Sequence, residues 1–79
     1  MKTQKFRIKD LKGKTITQWT EWSETSETIT RVYLGEGDEI VIKTENHIYP
    51  FDDEHFFDLL FEGTTMVGTI NGQFQFEIK

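Results

Sequence analysis

The sequence predicts an α+β domain: an antiparallel sheet of about six to seven short strands, mostly hairpin-connected, with one helix at about 52–62 packed on one face. Three observations point there. One stretch, 49–63, has helical periodicity and holds four of the seven phenylalanines. The segments on either side alternate apolar and polar residues with the period of strands. Turn signals separate those segments at short intervals, Asn71-Gly72 being the strongest. The alternative is a small bent-sheet barrel with the helix at one end. At 79 residues the chain is expected to be a single domain, 1–79.

Residues 5–9, Lys-Phe-Arg-Ile-Lys, alternate so that Phe6 and Ile8 share one face and three cations the other. Lys12-Gly13 reads as a turn in which Gly13 is free to take positive φ. As a two-residue hairpin loop it would set Leu11 opposite Lys14 and Phe6 opposite Trp19. A second strand at about 14–22 carries Trp19 and Trp22, three apart and so on opposite faces unless a bulge intervenes. Ser23–Glu27 reads as a polar connection. The third strand, about 28–34, has apolar residues on both faces and is expected at the centre of the sheet. Gly35–Asp38 is a loop, 39–44 a β-branched strand with Ile40 and Ile42 inward, Glu45-Asn46 a turn, and 47–49 a short strand.

Pro50 keeps Tyr49 extended and out of a helix. Asp52 then suits the N-cap, with Asp53 and Glu54 near the positive end of the helix dipole. Phe51 and Phe56 occupy the two positions of a hydrophobic staple, and Gly63 is placed to end the helix. In the last hairpin, with Asn71-Gly72 as the loop, Thr69 would face Phe74, Val67 Phe76 and Thr65 Ile78. The reverse face (Met66, Gly68, Ile70, Gln73, Gln75, Glu77) is expected in solvent. The expected core is Phe6, Ile8, Ile16, Trp19, Ile29, Tyr33, Ile40, Ile42, Phe51, Phe56, Leu59, Leu60, Phe61, Val67, Phe74, Phe76 and Ile78.

Charge is unevenly placed. The net charge is −5, yet residues 1–14 carry +5 and residues 15–79 carry −10. The cations Lys5, Arg7 and Lys9 suggest a phosphate-binding stripe backed by Trp19 or Trp22, set against a solvated strand face that discourages edge pairing. A pI near 4.9 counts against nucleic acid. The acids of the body, including Asp53, Glu54, Asp58 and Glu62 on the outer side of the helix, would present an anionic surface to a basic protein; capping and solubility are the simpler explanation of such acids. Trp22, Tyr49, Met66 and Ile70 do not fit inside one sheet and one helix. They imply either a curled sheet or a contact surface.

No chemistry-bearing motif is present. There is no cysteine, Gly-x-Ser-x-Gly, phosphate loop or HExxH. His47 and His55 with Asp52, Asp53 and Asp58 match no metal-ligand spacing. No cofactor, metal or catalytic residue is expected, and the chain is not expected to be an enzyme. With no signal peptide or membrane span in the sequence, a cytoplasmic location is expected. The functional expectation is a small non-enzymatic protein acting through a protein partner, as accessory factors and acidic-surface inhibitors of bacterial or phage type do, with contacts drawn from Trp22, Tyr49, Asp53, Glu54, Asp58 and Glu62. The alternatives are a nucleic-acid-binding module using Lys5, Arg7 and Lys9, and a homo-oligomeric structural subunit.

Overall fold

The longest strand decides the architecture. In the computed structural model, which describes residues 3–79, β2 (Glu24–Leu34) is shared by two groups of strands. Its first half pairs with β1 (Thr15–Trp19), from Trp19↔Glu24 to Thr15↔Thr28. Its second half pairs with β3 (Ile40–Thr44), from Ile29↔Thr44 to Leu34↔Ile40. β3 continues to β4 (Ile48–Phe51), and β1 to β6 (Gly72–Ile78) and then β5 (Thr64–Thr69). The result is one six-stranded antiparallel sheet, β4-β3-β2-β1-β6-β5.

The sheet curls into a half-barrel. Tyr49 and Phe51 on edge strand β4 meet Phe76, four strands away in that order, with ring centroids 5.5 and 4.9 Å apart and planes at 69° and 84°. These are edge-to-face contacts across the hollow of the sheet. The helix α1 (Asp53–Glu62) joins β4 to β5 and packs on β5, β4 and β6, filling the side that the sheet leaves open. Its core residues Phe56, Leu59 and Leu60 are buried, in one cluster with Ile16, Ile29, Ile42, Phe51, Phe76 and Ile78.

The helix termini follow from the sequence. Asp52 is the N-cap, its carboxylate accepting from the His55 N–H at 2.8 Å. Gly63 ends the helix at φ 81°, its N–H donating to the Leu59 carbonyl. Gly13 also takes positive φ, 94°.

Several expectations are corrected. Residues 5–9 form no strand: Ile8–Asp10 is a 3-10 turn, and the N–H groups of Lys5 and Phe6 both donate to the Leu60 carbonyl at the end of the helix. The hairpin that would set Phe6 against Trp19 is therefore absent, and residues 14–15 lie beside β2 and β6 instead. Ile8 is half exposed, while Leu11, left out of the expected core, is fully buried. The polar stretch 24–27 is strand, not connection. Alternation along 5–9 was real, but the Leu60 carbonyl takes its first N–H groups and a 3-10 turn follows, whereas 24–28 is extended because β1 supplies its partner.

The third strand shows why Tyr33 is not core. A bulge between Ile29 and Arg31 reverses the alternation. Ile29 points inward before it; Val32, paired with Ile42, points inward after it, and Tyr33 goes to the outer face beside Arg31, whose guanidinium carbon lies 4.7 Å from the ring centroid. In the last hairpin the register is two residues from the expected one: Thr69↔Gly72, Val67↔Phe74, Thr65↔Phe76. The loop is thus Ile70-Asn71, and because two residues is one full strand period, the buried and exposed faces are as expected.

Candidate functional site

Two loops lie side by side at one end of the sheet, since β1 ends where β6 begins (Trp19↔Gln75). In the first, 20–23, the Thr20 hydroxyl accepts from the N–H of Trp22 at 3.2 Å and of Ser23 at 3.0 Å, and the Thr20 N–H donates to the Ser23 carbonyl. This hydroxyl-centred turn holds Trp22 outward, 90 % exposed. In the second loop the Thr69 hydroxyl accepts from the Asn71 N–H and donates to the Gly72 carbonyl, leaving Ile70 at the tip, fully exposed. Threonine thus builds both turns, and both tips are apolar.

The outer face of the sheet extends this surface. Register places Met66, Gln75, Trp19 and Glu24 in one row on the convex side, opposite the core. Trp19, expected inside, is therefore half-buried on the outer face, and with Met66, Glu21 and Gln73 it lines a shallow hollow of about 370 Å³. Trp22, Ile70 and Met66 remain outside the core despite the curl of the sheet.

Tyr49 does not belong to this surface. Opposite Ile42 on the core face of β4, it is 7 % exposed, packed edge-on to Phe76 and stacked on His47. Burial, then the nearby Glu27 carboxylate, pushes its hydroxyl above the usual value. The alternation of Tyr49 and Phe51 with Ile48 and Pro50 was the available signal; Pro50 drew attention to the helix start instead. Glu27 itself was missed. Its carboxylate accepts from the Thr44 hydroxyl and the Asn46 N–H and pairs with His47 Nδ1 at 2.9 Å, clasping the β3–β4 turn against β2. These bonds, the Thr44 one foremost, hold its carboxyl below the usual range.

The helix acids stand outside the fold. Asp53, Glu54, Asp58 and Glu62 are exposed, with half-exposed Phe57 among them. Some have internal work: Asp58 accepts from the Thr65 hydroxyl at 3.3 Å. His55 pairs with the cap carboxylate of Asp52 at 2.7 Å, and among the described residues no three His, Cys, Asp or Glu side chains converge on a metal-sized site.

The cations do not form one stripe. The 3-10 turn sends Lys5 and Arg7, with Lys14, into one hollow beside Phe6, and Lys9, with Lys12 and Arg31, into another beside Ile8. The ammonium groups of Lys5 and Lys14 sit 5.7 and 5.2 Å from the Phe6 centroid. Among the described residues no helix is long and apolar enough to cross a membrane. Comparison with known family models, curated proteins and solved structures finds no match.

Proposed function

We propose that this chain is a non-enzymatic interaction domain that grips a protein partner through the Trp22–Ile70 end, with Trp19 and Met66 extending the contact and Glu21 and Glu24 at its rim. The observation that carries it is the near-complete exposure of Trp22 and Ile70 on two adjacent loops, each held by a threonine hydroxyl. A large apolar side chain on a fixed turn loses little freedom on binding, and tryptophan is among the residues enriched at the anchors of protein contacts. The acids on α1 would add salt-dependent attraction for a basic partner without supplying the anchor. An accessory or inhibitory role, altering the partner's own activity, is the work such a surface would do.

The nucleic-acid alternative has less support. The one aromatic ring among the N-terminal cations, Phe6, already carries two ammonium groups near its faces or edges, which competes with base stacking.

The test is capture of partners from the source cells with three immobilised forms: the native chain, Trp22→Ala/Ile70→Ser, and Asp53→Lys/Glu54→Lys/Asp58→Lys. A protein held by the first and third in ~1 M salt, where the screening length is about 3 Å, and released by the second is the expected result. Trp22→Ala alone should weaken that complex by about 2–4 kcal/mol, roughly 30- to 1,000-fold. Retention by the Trp22/Ile70 variant together with loss from the acid variant would move the contact to the helix and refute the proposal.

A further inference from the structure

β2 has an unused edge. β1 accompanies it only as far as Thr28, and two backbone bonds, Gly13 N–H to Ile29 carbonyl and Ile29 N–H to Lys14 carbonyl, close that ladder. Past the bulge, among the described residues, 30–34 pair with β3 alone. The N-terminal arm runs beside them, yet among the described residues no backbone hydrogen bond joins residues 3–12 to 30–34. The ladder to β3 fixes which groups are left over. The Gly35 N–H donates to the Glu39 carbonyl, so by alternation Tyr33 and Arg31 also turn towards β3. The N–H and C=O of Val32 and Leu34 face the open edge.

A groove lies along that edge. Where Lys9, Lys12 and Arg31 meet Ile8 and Val32 it encloses about 370 Å³. It continues past the same two apolar residues into a hollow of about 300 Å³ walled by Leu34, Ile40 and Phe56. Ile8 and Leu34, 52 % and 79 % exposed, are its open lips. One end is cationic, the other apolar, and the floor is a strand edge with unpaired backbone groups.

We propose that this groove takes an extended acidic segment of a partner protein, which adds as a strand along residues 30–34. Five residues of strand span about 17 Å. Successive side chains of the added strand would alternate between the apolar hollow and the outer side, where Arg31 stands, so the fitting segment alternates bulky apolar residues with Asp or Glu. A second copy of this chain is a poor occupant, because antiparallel pairing of the edge with itself sets the cationic end of one groove against the apolar end of the other and supplies no carboxylate to Lys9, Lys12 or Arg31. A polynucleotide would satisfy the cations but leave the backbone edge and the hollow unused. The site is separate from the Trp22–Ile70 surface and does not rest on it.

The probe is a capped peptide, Glu-Val-Glu-Phe-Glu-Val-Glu, titrated into the ¹⁵N-labelled full chain, with Lys-Val-Lys-Phe-Lys-Val-Lys as its counterpart. Binding should shift the amides of Val32 and Leu34 most, with those of Lys9 and Lys12, and leave Trp22 and Ile70 unmoved. Lys12→Glu/Arg31→Glu should weaken it at least tenfold, and Val32→Pro, which removes an N–H that β3 does not use, should abolish it. Where Val32→Pro does not fold by its circular dichroism, the amide map of the native chain decides alone. Equal binding of the two peptides, shifts confined to residues outside the groove (8–12, 30–34, Ile40 and Phe56), no shift at millimolar peptide, or displacement of the peptide by a tighter-binding oligothymidylate would each overturn the proposal.

Discussion

Phe76→Leu should loosen the closure of the half-barrel by an amount that the ring geometry sets. Leucine keeps most of the apolar volume, so the principal loss is the pair of edge-to-face contacts with Tyr49 and Phe51 at 5.5 and 4.9 Å. Each such contact adds about 0.5–1.5 kcal/mol beyond burial, giving a destabilisation of about 1–3 kcal/mol. In urea, with a slope near 1 kcal/mol per molar for so small a domain, the midpoint should fall by about 1–3 M. Phe51→Leu and the double variant complete a cycle whose coupling should be about 0.5–1.5 kcal/mol. Phe57→Leu, half exposed on the outer side of the helix, is the control and should stay within about 0.5 kcal/mol. A Phe76→Leu cost inside that same band, or additive single effects in the cycle, would show that the rings do not join the two halves of the sheet.

Gly63→Ala should cost about 1–2 kcal/mol by thermal or urea unfolding, because a left-handed residue is imposed and its Cβ would lie 3.0 Å from Lys5 Nζ; an unchanged midpoint would mean that the chain leaves the helix by another conformation. Acid should destabilise the fold through Glu27 and Asp52. Both carboxyls are held below their usual values of 4.5 and 3.8, by the Thr44 hydroxyl and the His55 N–H respectively, so their contribution is present above those values and lost as pH falls through the lower folded ones. Glu27→Gln should flatten the fall of melting temperature below about pH 4.5, and an unaltered slope would remove Glu27 from the account. At the other extreme Tyr49 favours the folded state while neutral, so stability should decline as pH rises above 10.0.

What the sequence disclosed was what local chemistry decides. The cap at Asp52, the stop at Gly63 and the inward Phe56, Leu59 and Leu60 depend on spacing within ten residues, and each is where that spacing puts it. The faces of the last hairpin were legible for the same reason, although its register slipped by one full period. The failures sit where a distant partner decides. Lys5–Lys9 alternates like a strand, but the Leu60 carbonyl takes its first N–H groups. Tyr33 would face inward in a regular strand, and one bulge turns it out. The exposure of Trp22 was left open by the sequence, because its spacing from Trp19 allows either a bulge or the outer face and only the 20–23 turn decides between them. The burial of Tyr49 was hidden because its cover comes from Phe76, which is 27 positions away. The groove along β2 was invisible, since it exists only because the ladder to β1 ends at Thr28 and leaves the second half of β2, among the described residues, without a strand on that side.

The position of β6 has a consequence for how the chain is made. Of the six strands it is the last to be synthesised, yet it lies between β1 and β5, and its pairing Ile16↔Ile78 spans most of the molecule. A ribosome-bound chain that has not yet released residues 72–78 can form the β2–β3–β4 meander but leaves β1 with an open edge and the curl without Phe76. Folding must therefore wait for the end of this segment to emerge, and contacts of such long sequence separation make it slow for the size of the domain. During that interval the half-made sheet exposes an edge and aromatic surface together, and it is then that the chain is most open to capture by chaperones or by its own unfinished copies.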